Sequence, residues 1–367
     1  MIFVNIMLFS RILAKTGVGN HIALLSDSLQ KLGHNVVVVS GTKDIELPNN
    51  NVKIFKIYTQ FKNPLKTIKS LLALRSIIKS NHIDIVHCHH RVASVYMFLY
   101  NLIFKIPYVY TLHLANIPHD LFHRRFTFIG KKAIGVSTDV SDFMINDLKI
   151  DPVNVVTVLN GVDDSMLLPV QEAEKKQIKK EWNVPEDKTI IVLHSRIDSV
   201  KNHRLIVEAV NRLNDNERDK ICVVCSGERK GSYYVEITDL IKIYKIEETF
   251  KFVGWVETNK VLGVADYLFL PSFQEGFPLS VVEAAFMNVP VVRTRTAGYE
   301  DMKFSVPISM YDPDDVVKVI RKILNNEVSE YLKLSQDAYD FAKSSLTAKS
   351  MAEKTLNVYK EVLDNNG

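Results

Sequence analysis

Two hydrophobic rhythms alternate along the chain. Short runs of β-branched and aromatic residues are bounded by turn residues, and between them apolar positions recur at three- and four-residue spacing. In the first half the strand candidates are IFVNIMLF, NVVVVSG, VKIFKI, DIVHCH, YVYTLH, AIGVS and NVVTVLN; in the second they are TIIVLHS, KICVVCSG, TFKFVGW, DYLFLPS and VPVVRT. Helical patterns such as HIALLSDSLQKLG, closed by Gly33, separate them. This alternation predicts an α/β protein with parallel sheets and helices on both faces. The polar segment DDSMLLPVQEAEKKQIKKEWNVPED has proline near both ends and marks the join of two domains, 1–167 and 168–349. The last stretch carries Met351, Thr355, Val358, Tyr359 and Val362 at helical spacing, which predicts a helix at about 350–367 that packs back on the first domain. Ligands of open α/β sheets bind beyond the carboxyl ends of the strands, so a site in a cleft between the two domains is expected.

The 367 residues are 47% hydrophobic and 24% charged, which excludes disordered and fibrous classes and suits a globular protein with sizeable cores. Cys88, Cys222 and Cys225 make no disulfide framework and point to a reducing compartment. Cys222 and Cys225 form a C-x-x-C, but in a strand they face opposite ways and lack a second pair for zinc. The apolar start, MIFVNIMLF, has no basic leader or small-residue cleavage site. ASVYMFLYNLIFKIPYVYTL is interrupted by Asn101, Lys105 and Pro107, short of the roughly 20 residues a spanning helix needs. A cytoplasmic protein is expected.

Charge alters that picture. Residues 1–165 hold 18 Lys+Arg against 11 Asp+Glu, whereas the remainder holds 28 against 31. The basic first half suits an anionic partner. NPLKTIKSLLALRSIIKS sets Leu65, Ile68, Leu72, Ile77 and Ile78 among Lys66, Lys69, Arg75 and Lys79; Arg124, Arg125, Lys131 and Lys132 add a second basic group. Peripheral contact with anionic lipid on the inner face of the cell membrane is expected, beside the plainer reading of an ordinary surface helix. No nucleic-acid partner is expected.

Candidate chemistry gathers just after strands. In PSFQEGFPLSVVEA, Glu275 and Glu283 frame a Gly-Phe-Pro turn, with Pro278 expected as the first residue of a helix. Backbone N–H groups around Gly276, Phe277 and Leu279 at that positive helix end suit an anionic or hydroxyl-rich ligand, and the two carboxylates suit hydroxyls. Helix capping by Glu275 and a solvated Glu283 is the alternative. Arg196 and Lys201, in the loop after TIIVLHS, suit a diphosphate; solvated surface charges are again the alternative. Gly17 and Gly19 in AKTGVGNHI form a G-x-G without the further glycine of the dinucleotide fingerprint, which disfavours hydride transfer. A nucleotide base fits against Gly254 and Trp255, with Ser226 and Gly227 at the neighbouring strand end; a core role for Trp255 competes.

Together these features resemble family 4 of the retaining glycosyltransferases, group 1 type, with the GT-B architecture of two Rossmann-like domains facing across a cleft. The most specific element is E-x7-E, here Glu275–Glu283; weaker matches are SRIDSVKNH, LNGVD at 159–163, DIVHCHH and TLHLA. The family's glycine before the arginine is Ser195 here, and its later glycine pair reads TAGYED. The resemblance implies that Arg196 and Lys201 hold the donor diphosphate and Glu283 the ribose. It gives Glu275 with the following amides to the donor sugar, and sets Gly17 and Gly19 near phosphates and acceptor. His113 would touch the donor sugar near the reacting carbon.

His87, His89 and His90 lack a carboxylate or cysteine at chelating spacing, and Asp312-Pro313-Asp314 reads as a helix cap, so no metal or other cofactor is expected. The expected activity is transfer of a sugar from a nucleotide donor, UDP-linked by preference, to a cell-surface polysaccharide or lipid-linked glycan. A nucleotide-sugar epimerase, a phosphorylase of the same fold, and a non-catalytic sugar-binding protein are the alternatives.

Overall fold

In the computed structural model, which describes residues 3–14, 16–48, 51–229 and 231–365, the apolar runs of the first half become seven strands. They are β1 (Asn5–Ser10), β2 (Asn35–Ser40), β3 (Lys53–Lys56), β4 (Ile85–Cys88), β5 (Tyr108–Leu112), β6 (Lys132–Gly135) and β7 (Val155–Thr157). All neighbours pair in parallel, in the order β3-β2-β1-β4-β5-β6-β7. The central strands read as unbroken apolar runs because helices cover both faces.

The second half repeats the plan with β8 (Thr189–His194), β9 (Ile221–Ser226), β10 (Phe250–Gly254), β11 (Tyr267–Leu270), β12 (Val291–Thr294) and β13 (Val306–Ile308). Their order is β10-β9-β8-β11-β12-β13, again parallel. β13 was not among the expected strands. It is three residues long at the sheet edge, and its middle residue, Pro307, is exposed, a place where a missing N–H costs no ladder bond.

The chain divides into Met1–Val162 with Leu346–Gly367, and Asp163–Ser345. The join expected after 167 therefore falls a few residues earlier, ahead of the 3-10 turn Asp164–Met166. The outgoing and returning stretches of chain lie side by side in the first unit: Val162 N–H donates to Leu346 O (3.0 Å) and Ala348 N–H to Val162 O (2.8 Å). Gly161 of LNGVD permits this, since a Cβ there would stand 2.3 Å from Thr347 O. The returning helix, Ala348–Asp364, buries Met351, Thr355, Leu356, Val358, Tyr359 and Val362. Its apolar members join Ile6, Leu8, Ile22 and Val36 in the first unit's core. Residues 366 and 367 of the expected helix, and Ile2 of the first strand run, lie outside the described residues.

Cys222 and Cys225 are buried free thiols in β9, and Asp312 caps the helix Pro313–Leu324 by accepting from Asp314 N–H at 2.9 Å. No helix among the described residues is long and apolar enough to cross a membrane.

Candidate active site

Each sheet reverses its winding once, between β1 and β4 in the first unit and between β8 and β11 in the second. Loops leaving such a pair of strands part in opposite directions and leave a crevice at the sheet's carboxyl edge. The candidate residues of the second unit stand on the two sides of its reversal. Arg196 and Lys201 follow β8; Glu275 follows β11.

Lys201 Nζ donates to Glu275 Oε1 at 2.6 Å, with side chains only 17% and 9% exposed. Arg196 is more open and pairs with Asp198 at 3.1 Å. Asp198 also caps the 3-10 turn Ser199–Lys201, accepting from Lys201 N–H at 3.1 Å, which fixes where the lysine stem departs. Asn202 follows in the left-handed region, φ 53°. Buried, it donates through Nδ2 to Pro271 O (3.2 Å) and Met310 O (3.1 Å), and Phe273 N–H donates to Val200 O (2.8 Å). The loop after β8 is thereby stitched to the loop after β11, so the cation and the carboxylate face each other on a held frame.

The helix beyond Glu275 runs Leu279–Phe286. Pro278 occupies its cap position rather than its first turn, correcting the expectation, and no side chain caps the helix. Its leading amides remain suited to a ligand's oxygens. Phe277 and Pro278 are buried, Leu279 half-buried. Gly298 of TAGYED packs behind this turn at φ +78°, where a Cβ would lie 2.9 Å from the Phe277 ring. Glu283 is half-buried in the second turn, and burial raises its pKa from the usual 4.5 to about 7.

At the ends of β9 and β10, Ser226 is buried and its hydroxyl is spent internally, on Gly254 O and His194 Nδ1, each at 3.3 Å. Gly254 adopts φ +76°, and its carbonyl also accepts from Gly227 N–H at 2.9 Å. Trp255 is 70% exposed, which removes the core reading of this residue.

In the first unit the helix Gly17–Lys31 opens directly after β1, capped by Thr16, whose hydroxyl accepts from Gly19 N–H at 3.2 Å. The two glycines differ. A Cβ on Gly19 would lie 1.9 Å from Ala14 O, so chain packing by itself demands glycine there; a Cβ on Gly17 would meet nothing within 4 Å among the described residues.

In the same unit His89 follows β4 and His113 follows β5. His89 Nδ1 and His113 Nε2 are 3.2 Å apart, and the His21 ring lies 4.7 Å from that of His113 and 5.3 Å from that of His89. Burial lowers the pKa of all three, His21 to about 4, so they are neutral at physiological pH. His87, by contrast, is tied by both nitrogens to Tyr359 and Thr111 at 2.6 Å, and His90 to Ser10 at 2.8 Å. Sequence spacing drew attention to His87, His89 and His90; the topology instead gathers His21, His89 and His113. His21 and Asn202 were both overlooked. Asn202 had a signal, since SRIDSVKNH resembles the family pattern G-R-L-x-x-x-K-G and sets Asn202 at its last glycine.

Residues 15–166 match the family described as Glycosyltransferase Family 4, and residues 174–341 match Glycosyl transferases group 1. The chain is 25% identical over 334 residues to a phosphatidylinositol N-acetylglucosaminyltransferase component from Arabidopsis thaliana, covering 84% of this chain and 71% of that one. It is 24% identical over 255 residues to N-acetyl-alpha-D-glucosaminyl L-malate synthase of Bacillus anthracis, covering 67% and 65%. Among solved structures, a glycosyltransferase from Rickettsia africae ESF-5 superposes with TM-score 0.88 at 21% identity over 99% of each chain. Anabaena Alr3699/HepE in complex with UDP superposes at 0.84 and 14% identity, over 98% of this chain and 100% of that one. With the two parallel sheets, these matches establish the GT-B fold and a transferase activity: the chain belongs to the family 4, group 1 glycosyltransferases.

Proposed function

We propose that this enzyme moves a sugar from a nucleoside diphosphate donor, UDP-linked by preference, to a cell-surface polysaccharide or lipid-linked glycan, retaining the configuration of the reacting carbon. The observation that carries this reading is the Lys201–Glu275 pair at 2.6 Å across the winding reversal of the second sheet, with Arg196 on the same loop. Two cations suit the donor's two phosphates, and the uncapped helix start suits their oxygens. The related Anabaena structures with UDP and with UDP-glucose support a uridine donor.

In the proposed reaction the acceptor hydroxyl oxygen bonds to the anomeric carbon as that carbon's bond to the β-phosphate oxygen breaks. The departing oxygen takes the hydroxyl proton on the same face, so configuration is kept. Arg196 and Lys201 stabilise the charge that develops on the leaving phosphate, work that needs no metal ion. Glu275, whose Oε1 is held by Lys201, positions the donor sugar rather than attacking it. Glu283 receives the ribose hydroxyls, Gly254 and Trp255 the base, and His113 acts on the sugar being moved.

The first unit is assigned to the acceptor, and its surface supports contact with anionic lipid. Leu65, Ile68 and Leu72 are exposed on the helix Pro64–Ser80, beside Lys66 and Lys69, while Ile77 and Ile78 turn inward. Leu121, 82% exposed, and Phe122 flank Arg124 and Arg125. Lys132 leaves this basic group, being a β6 residue paired with Glu361 at 2.7 Å. On this reading the enzyme is cytoplasmic and rests on the inner membrane face.

The test is a panel of nucleotide sugars with candidate acceptors, read as nucleoside diphosphate release and as the anomeric configuration of the product. One UDP-sugar should be turned over with retention. Inversion, or conversion of the donor with no sugar reaching an acceptor, contradicts the proposal.

A further inference from the structure

Among the described residues, Arg293 is the largest side chain that is fully buried. It is the third residue of β12, in register between Leu270 of β11 and Pro307 of β13. A guanidinium taken out of water is costly unless its N–H groups are used, and an apolar residue would fill an interior strand at lower cost. Here the N–H groups are spent on one loop. Nη2 donates to Gly298 O (3.1 Å), Tyr299 O (3.3 Å) and Met302 O (2.8 Å), and Nε donates to Ser305 Oγ (3.1 Å). The guanidinium also lies over the Tyr299 ring, 4.9 Å from its centroid.

The loop that leaves β12 is thereby drawn down from below. Without that nitrogen, three carbonyls of buried residues would face an emptied space, and the loop would have to rearrange to find them donors. Thr294 Oγ1 donates to Ser272 O at 2.5 Å, which joins the start of the same loop to the chain leaving β11. Gly298 then backs the Gly276–Phe277 turn so closely that a Cβ would lie 2.9 Å from the Phe277 ring and 3.4 Å from Gly276 O. The depth to which Arg293 draws the loop is the depth at which that turn rests.

We propose that Arg293 is a positioning residue for the donor sugar: it sets where the amides of Gly276, Phe277 and Leu279 stand, and through them the alignment of the sugar being moved. The inference rests on the proposed assignment of those amides to the donor sugar. Arg293 is fully buried and acts only through the loop. Arg196 and Lys201, given to the diphosphate, stand on the loop after β8 and keep their places without it. A misplacement of about 1 Å caused away from the chemistry can cost roughly 10²-fold in rate.

Arg293→Met keeps an apolar stem and removes the donors. Its kcat/KM for the sugar donor should fall about 10²-fold, while its affinity for UDP, which carries no sugar, stays at the wild-type value in calorimetry. Arg293→Lys, whose ammonium offers three N–H donors to the three carbonyls, should recover most of the loss. Deuterium exchange of the full chain without nucleotide gives a second reading that does not depend on transfer. The amides of Gly276, Phe277 and Leu279 should exchange faster in Arg293→Met and return toward wild type in Arg293→Lys. Where Arg293→Met fails to fold, Ser305→Ala, which removes only the Nε partner, should show smaller changes of the same kind. Turnover absent from wild type overturns the proposed function and leaves the exchange result to decide on Arg293. Unchanged exchange at the three amides, or kcat/KM and UDP affinity that fall together, overturns the proposal.

Discussion

Replacing Lys201 by methionine keeps a long apolar stem and removes only the charge, isolating what the ammonium does. Its partner Glu275 then keeps a carboxylate in a setting that leaves it only 9% exposed. Stranding one member of a buried pair costs about 3–5 kcal/mol, and the residual exposure of this pair sets the expectation near ~3 kcal/mol. For a 367-residue chain, with about 2.1 cal/mol/K of unfolding entropy per residue, that lowers the melting midpoint by roughly 4 °C. Lys201→Met/Glu275→Gln removes both charges, so most of the stability should return, giving a coupling energy of about 2 kcal/mol. Turnover should behave differently. A preorganised donor to a developing oxyanion is worth about 10²–10³ in kcat, and both variants lack it, so both should remain that much slower. Thermal unfolding and nucleoside diphosphate release on the same preparations read the two effects. If the double variant is as unstable as the single, the electrostatic account of the pair is wrong. If the single variant turns over at the wild-type rate, Lys201 is structural only.

Glu283 gives a signed pH dependence. Its folded pKa of about 7 lies above the ordinary 4.5, so between those values the folded carboxyl keeps a proton that the unfolded one has released. Stability therefore falls as pH rises through that window, and Glu283→Gln should flatten the fall in urea unfolding at pH 5 and pH 7.5. UDP affinity should rise from pH 6 to pH 8 as the carboxylate becomes able to accept ribose hydroxyls; calorimetry showing no change, or the opposite, refutes that role. Gly298→Ala, at φ +78° and against Phe277, should cost about 1–2 kcal/mol and raise the donor KM, read by melting and by kinetics. Leu65, Ile68 and Leu72 changed together to serine should reduce flotation with anionic vesicles; wild-type protein that stays wholly at the bottom of the gradient contradicts membrane contact.

The parallel-sheet plan was legible because strands covered on both faces must be continuously apolar, and twelve of those runs became β1 to β12. β13 escaped because three residues with an exposed proline carry no such signature. The E-x7-E stretch and the cations after β8 were legible because each follows a strand directly. What holds them was not: the clamp from Asn202 to Pro271 and Met310 joins residues 69 and 108 positions apart. The histidine cluster failed for the same reason, since its members meet only once β1, β4 and β5 lie side by side. Ser226 was legible as a strand end, but the bond from its hydroxyl to Gly254 O, 28 positions away, was not. The close approach of Ala14 O to Gly19 was likewise not legible in the sequence.

The most direct measurement is a crystal of the full chain soaked with UDP. The two phosphates should lie within hydrogen-bonding distance of Arg196 and Lys201, with the ribose hydroxyls on Glu283 and the base beside Gly254. A nucleotide lodged elsewhere in the second unit, or density that leaves those side chains untouched at saturating UDP, contradicts the account.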